Sequence, residues 1–346
     1  MTKYSVTLGL DTFGDVLSDD GGTPVSHAET IRGLVEHGVL ADHVGLDFFG
    51  IGEHHTVDMP LSAPDVVLAA VAARTSRIRL GSAVTVLSSD DPVRVFQRYS
   101  TLDALSHGRA EVILGRGSST ESFPLFGYDL GDYDELFDEK VDLFSRLLEE
   151  KPVTWSGRLR PSLNGQEVVP HTETGPIPAW IGVGGSPESV LRTAKYGMSL
   201  MLAIIGGPAA RFKPFADLFR DVQRRLDKPQ KAIGLHMPGH IADSDEDAME
   251  ELYPHYVDVL TRVARERGFR PPSREQFLEE VSERGAWHVG SPETVARKIA
   301  ASLKTVGATR FDLKYGLAGL PRGSVLRNIE LYGTRVAPMV RELMAE

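Results

Sequence analysis

Short apolar runs alternate with longer stretches of helical periodicity along the chain. The apolar runs fall at 5–10, 48–51, 78–86, 110–114, 179–183, 200–205, 232–241 and 310–314. Between them, apolar residues recur at helical spacing, as at Val66, Leu68, Ala69, Val71 and Ala72. This spacing predicts helices over 27–44, 63–75, 93–106, 133–150, 187–196, 209–226, 246–265, 292–305 and 324–344. Alternating strands and helices imply a parallel sheet covered by helices. Eight such strands predict an α/β fold, a closed (β/α)8 barrel of the TIM type. An open, doubly wound sheet would show a glycine-rich dinucleotide turn after its first strand. Here that strand runs into Asp11-Thr12-Phe13-Gly14 instead.

Three connections exceed what tight barrel loops need, at 115–132, 151–178 and 268–289. Within the second, Trp155-Ser156-Gly157-Arg158 reads as a hairpin turn; the third carries Pro271-Pro272 and a charged helix over 273–284. No linker divides the chain, which reads as one barrel domain, 1–346, with insertions.

The 346 residues carry a net charge of −10, which argues against non-specific binding to nucleic acid or anionic lipid. Cysteine is absent, which removes disulfides, thiolate metal sites, iron–sulfur clusters and cysteine nucleophiles. Residues 1–10 show no secretory leader, and no apolar run approaches the ~18 residues of a membrane span. The expectation is a cytoplasmic protein.

In a barrel the chemistry gathers where strands end. Gly52-Glu53-His54-His55 follows the second strand, Gly115-Arg116-Gly117-Ser118-Ser119 the fourth, and Gly184-Gly185-Ser186-Pro187-Glu188-Ser189 the fifth. Glycines at these ends let a planar ligand or a phosphate approach the backbone. Ser186 is a natural N-cap with Pro187 at the first helical position, so this turn presents free N–H groups to an anion or is simply a capped helix. Gly290-Ser291-Pro292-Glu293-Thr294 repeats the pattern. Arg116, between glycines, reads as a phosphate or carboxylate ligand or as a surface ion-pair partner. His54 and His55 are adjacent and face apart on an extended strand, so they chelate one metal poorly; His236 and His240, four apart, could share a face. No Gly-x-Ser-x-Gly elbow supports a serine nucleophile.

Together these segments resemble the bacterial luciferase-like flavin monooxygenases. The resemblance spans about Val6 to Met344. It rests on Gly52-Glu53-His54-His55, Ile78-Arg79-Leu80-Gly81-Ser82-Ala83-Val84, Asp91-Pro92-Val93-Arg94 and Leu102-Asp103-Ala104-Leu105-Ser106-His107-Gly108-Arg109, which leads into Gly115-Arg116-Gly117. It implies a barrel that binds FMN, or in one branch a deazaflavin. A cis peptide at Ala83-Val84 would lie beneath the ring, and Arg116, Gly117, Gly184, Gly185, Ser186 and Ser189 would sit around the phosphate. It further implies His54 as the proton-transfer residue, a lid at 268–289, a small organic substrate, a separate flavin reductase and a homodimer through 63–73 and 93–105. Luciferase itself has a cysteine before the arginine of Arg116-Gly117; Gly115 stands there in this chain, so neither light emission nor an aldehyde substrate is implied. The alternatives are a non-catalytic flavin-binding protein on the same fold and a metal-dependent barrel hydrolase.

Overall fold

A computed structural model describes residues 6–117, 120–268 and 270–346. β1 (Thr7–Thr12) leads through α1 (His27–His43) to β2 (Phe48–Ile51), then through α2 (Pro64–Ala72) to β3 (Arg79–Ser82). After a break, β4 (Thr85–Val86) is followed by α3 (Pro92–Ser106) and β5 (Ala110–Gly115). Next come α4 (Ser122–Phe126), α5 (Tyr133–Leu147), the strands β6 (Val153–Trp155) and β7 (Leu163–Gln166), and β8 (Ala179–Val183). The chain continues through α6 (Pro187–Tyr196), β9 (Ser199–Ala203), α7 (Lys213–Arg225), β10 (Ile233–Ile241), α8 (Asp245–Arg267) and α9 (Arg274–Val281). It ends with β11 (His288–Gly290), α10 (Pro292–Val306), β12 (Arg310–Lys314), α11 (Arg322–Leu331) and α12 (Ala337–Ala345).

Parallel pairing runs β1-β2-β3-β5-β8-β9-β10-β12 and returns to β1, closing the eight-stranded barrel. The strands ending at one rim set their terminal residues around one mouth. β6 and β7 form a separate antiparallel hairpin joined by residues 156–162, a longer connection than the tight turn expected at Trp155-Ser156-Gly157-Arg158. The helices begin where polar caps demand. Ser26 and Glu29 make a capping box on α1, Asp91 accepts from the amides of Val93 and Arg94, and Ser186 accepts from that of Ser189. Gly197 and Gly307 end α6 and α10 in the left-handed region, at φ of 67° and 71°. No described helix is long and apolar enough to cross a membrane.

Some elements differ from the sequence expectation. The strand expected over 78–86 is interrupted at Ala83–Val84, a cis peptide. The helix expected over 209–226 begins with a 3-10 turn, Ala209–Phe212. The last helix, expected as continuous over 324–344, contains a π-helical segment, Tyr332–Val336, where Gly333 lies against Val44; a Cβ there would come within 2.2 Å of that side chain. α4 and β11 are too short to show a hydrophobic period.

Lower in the barrel, a charged layer stands on aromatic rings. The Arg310 guanidinium lies 4.0 Å from the Phe48 ring centre and 4.6 Å from that of Trp180. Its Nε donates to both Asp312 oxygens at 3.0 Å, and it also pairs with Glu111. Each buried charge here has an opposite partner, as low-dielectric surroundings require. The space above this layer, towards the strand ends, is left for the site.

Two buried histidines make acid stability testable. His37 bonds Tyr315 Oη at 3.0 Å; His288 bonds the Ala286 carbonyl at 3.0 Å. Burial pushes His37 down to about 4, and burial together with nearby Lys298 pushes His288 down to about 3. Unfolded, both titrate near 6.5. The unfolded chain therefore binds more protons below that value, and their stabilising effect is lost as pH falls towards the folded pKa values. We expect urea unfolding to show stability falling from about pH 7 to about pH 5, with a shallower slope in His288→Gln. An unchanged slope would contradict the assignment of His288 as a neutral core group.

Candidate active site

At the mouth lies a cavity of about 350 Å³, within the ~300–1,000 Å³ range of small-molecule sites. One wall is smooth, formed by Ala83, Val84, Gly115, Gly182 and Gly184. Val84 explains two of the glycines: a Cβ on Gly115 would lie 2.5 Å from Val84 Cγ2, and one on Gly182 would lie 3.1 Å from Val84 Cγ1. A Cβ on Gly184 would meet nothing within 4 Å. Glu53 fixes this wall. Its amide donates to the Val84 carbonyl at 3.0 Å and its Oε2 accepts from the Val86 amide at 2.9 Å. Its other oxygen accepts from His55 Nε2 at 3.0 Å.

A second wall is polar. The His54 ring centre lies 5.1 Å from that of Phe13, and Nδ1 faces Glu121 Oε1 at 3.4 Å. The hydrogen bond from His54 is the main reason the Glu121 carboxyl is held below its ordinary range. His236 stacks on Phe13 at 5.7 Å and 24°. Its Nδ1 donates to Asp11 Oδ2 at 2.6 Å. Burial disfavours the charged imidazole, but the charge and hydrogen bond of Asp11 outweigh it and raise the pKa.

At the rim the groups are those of an anion site. Arg116 donates to Ser189 Oγ at 3.4 Å and to exposed Asp134 at 2.6 Å, and lies 5.3 Å from the Tyr133 ring centre. Tyr133 Oη donates to the Gly117 carbonyl at 2.7 Å. From α6, Arg192 also donates to Ser189 Oγ, at 3.4 Å. Gly185, at φ of 111°, turns the chain into Ser186, whose Oγ accepts from the Ser189 amide at 3.2 Å. Two guanidinium groups and a helix N-terminus thus converge on Ser189. The repeated Gly-Ser-Pro-Glu pattern at α10 behaves differently. There the Asp245 carboxylate accepts from the Ser291 amide at 2.6 Å and from Thr294 Oγ1 at 3.0 Å, so the chain supplies its own anion. At α6, among the described residues, the carboxylate bonded to Ser186 is that of exposed Glu188, and Arg192 also pairs with exposed Asp138.

Of the expected site residues, His54, Ala83, Val84, Arg116, Gly117 and Gly184 line the cavity. Gly185, Ser186 and Ser189 lie beyond its lining and join it through Arg116. Ser118 and Ser119 lie outside the described residues. His236 and His240, weighed together as metal ligands, part company: His236 lines the cavity, whereas fully buried His240 bonds Glu251 of α8 at 2.8 Å. Among the described residues, no group of three or more histidine, aspartate and glutamate side chains is placed to hold a metal. Sequence reading missed Glu121 and Tyr133, and it missed the pairing of Asp11 with His236; the position of Asp11 near the end of β1 was the available signal. Phe126, half exposed, packs edge-on against His55 at 5.2 Å, while Phe123 is buried against Tyr133.

Residues 12–310 match the family model described as luciferase-like monooxygenase, and the chain belongs to that family. It is 26% identical over 319 residues to limonene 1,2-monooxygenase of Rhodococcus erythropolis, covering 88% of this chain and 79% of that protein. It is 31% identical over 277 residues to N-acetyl-S-alkylcysteine monooxygenase of Bacillus subtilis, covering 74% and 76%. Among solved structures, monooxygenase RslO1 from Streptomyces bottropensis superposes with a TM-score of 0.82 at 20% identity, covering 96% and 99% of the two chains. The oxygenating constituent of 3,6-diketocamphane monooxygenase from Pseudomonas putida, a Baeyer–Villiger enzyme in complex with FMN, gives 0.77 at 17%, covering 96% and 98%. An F420-dependent secondary alcohol dehydrogenase gives 0.74 at 18%, covering 97% and 99%.

The smooth wall is testable by contrast. Gly115→Ala should destabilise by about 1–3 kcal/mol through overpacking against Val84, whereas Gly184→Ala should leave stability within about 0.5 kcal/mol. Paired denaturant titrations measure both; equal effects would contradict the described wall.

Proposed function

We propose that this protein is a flavin-dependent monooxygenase acting on a small organic substrate with O2. Reduced FMN is the cofactor read here and a deazaflavin the second reading. The observation that carries the proposal is the continuity of the smooth Ala83–Val84 wall with the anion site at Arg116 and Ser189. A planar ring fits the first and a phosphate the second. The FMN complex of the diketocamphane enzyme supports this reading; the F420-dependent neighbour keeps the deazaflavin open.

When bound, the reduced ring supplies the electrons for oxygen activation. The chain supplies placement and proton control. Arg116, with the hydroxyls of Ser186 and Ser189, holds the phosphate; Ala83, Val84 and the glycines give the ring a flat bed. His54, steadied by Glu121 at Nδ1, has Nε2 for accepting or returning a proton. Phe13 and buried Met201 give the cavity apolar surface that excludes water. No dinucleotide fingerprint follows the first strand, which supports a separate reductase as the source of reduced flavin. The acidic, cysteine-free composition supports a cytoplasmic setting. Exposed Val66 on α2 and Leu105 on α3 support a homodimer through these helices.

The test compares FMN with riboflavin. Arg116→Met should weaken FMN binding by about ten- to a hundredfold, the range of a charge-assisted hydrogen bond, and leave riboflavin binding unchanged. His54→Ala should retain FMN affinity but lower product formation from a panel of small cyclic ketones and alkenes by about 10²–10⁴-fold. Equal affinity of the native chain for FMN and riboflavin would overturn the phosphate assignment. Flavin binding without oxygenation of any panel member would favour a non-catalytic flavin-binding protein.

A further inference from the structure

The polar wall holds a second imidazole that the proposed function leaves unused. His236 is the fourth residue of β10 and pairs in register with Asp312 of β12 and Ala203 of β9. It is 7% exposed and lines the cavity. Nδ1 is committed to Asp11, and among the described residues Nε2 has no hydrogen-bond partner. The surrounding charges are already distributed. Asp312 is held by Arg310 at 3.0 Å, and Lys314 of β12 is held by Asp15 at 2.8 Å. Among the described residues Asp11 has no such second partner: its Oδ1 is buried without a hydrogen-bond partner, and its other oxygen is taken by the His236 ring.

We propose that His236 is the substrate-facing hydrogen-bond donor of the cavity, its Nε2–H directed at the hydroxyl oxygen of a ring-bearing phenol or enol held as the anion, with Asp11 fixing the imidazole from behind. The ligand class follows from the surroundings. Phe13, Ala203, Met201 and Ile205 offer apolar surface, with the Phe13 ring stacked beside the imidazole. A cationic donor in such surroundings favours an oxygen bearing negative charge over a neutral one. The raised pKa of His236 agrees with this geometry: burial and Lys314 oppose the charge, while Asp11 and Asp312 sustain it. Across Phe13, His54 faces Glu121 and is the competing donor. The inference deepens the proposed function and rests on it only in reading the ligand as the substrate.

4-Nitrophenol is a suitable probe, because its absorption reports whether the bound species is the phenol or the phenolate. It is titrated into the purified full chain slightly below its own pKa. The native protein should bind it with the phenolate spectrum. His236→Phe should weaken binding by about ten- to a hundredfold and remove that spectrum. His236→Gln and Asp11→Asn, both milder changes, should lose the phenolate signature with a smaller loss of affinity, while His54→Gln keeps it. A neutral-phenol spectrum in the native chain, unchanged binding in the His236 variants, or loss of the signature only in His54→Gln would each overturn the proposal. FMN affinity is measured on the same samples. Failure of the native chain to bind FMN would defeat the proposed function while leaving the nitrophenol result to stand on its own.

Discussion

Val84 occupies the space that a side chain at position 115 would need and crowds position 182, and the shape of the site depends on that packing. Its methyl groups stand where two neighbouring strands would otherwise project into the mouth, so Gly115 and Gly182 leave a flat surface. Glu53, just after β2, pins the same segment, bonding to the backbone of both Val84 and Val86 across the break between β3 and β4. Dense packing transmits any change here directly to the cavity wall. Below it, the Arg310 layer closes the barrel interior with paired charges, confining the open volume to the strand ends.

Facing the smooth wall, two imidazoles each have one nitrogen fixed by a carboxylate. His54 is held by partly exposed Glu121, whereas His236 is held by buried Asp11. The same residue type therefore meets different surroundings on either side of Phe13. Divergent environments divide acid–base roles in a shared site. At the rim, the contrast between α6 and α10 is equally informative. The same Gly-Ser-Pro-Glu sequence is satisfied by a distant aspartate in one place, and in the other meets two arginines and only exposed carboxylates, those of Glu188, Asp134 and Asp138.

The order of elements and most of the smooth wall were legible because they rest on local signals. Short apolar runs marked the strands, Ser-Pro and Asp-Pro pairs marked the helix starts, and clustered glycines marked the mouth. Pairings across long separations were not legible. Glu121 meets His54 across 67 positions and Asp11 meets His236 across 225, and no local pattern specifies either. Charged Arg310 opens β12 inside the barrel, where a polarity rule would place it outside; Asp312 of the same strand is one partner, and the others come from β5, β8 and β2. The resemblance to the luciferase-like family supplied the ordering of motifs that the isolated motifs lacked, and the family match bears it out.

A crystal structure of the chain grown with FMN tests the central claim most directly. The expected result is the phosphate bound by Arg116 and Ser189 at the α6 N-terminus, with the ring lying against Ala83 and Val84. Density for FMN at another surface, or a phosphate turned away from Arg116 and Ser189, would contradict it.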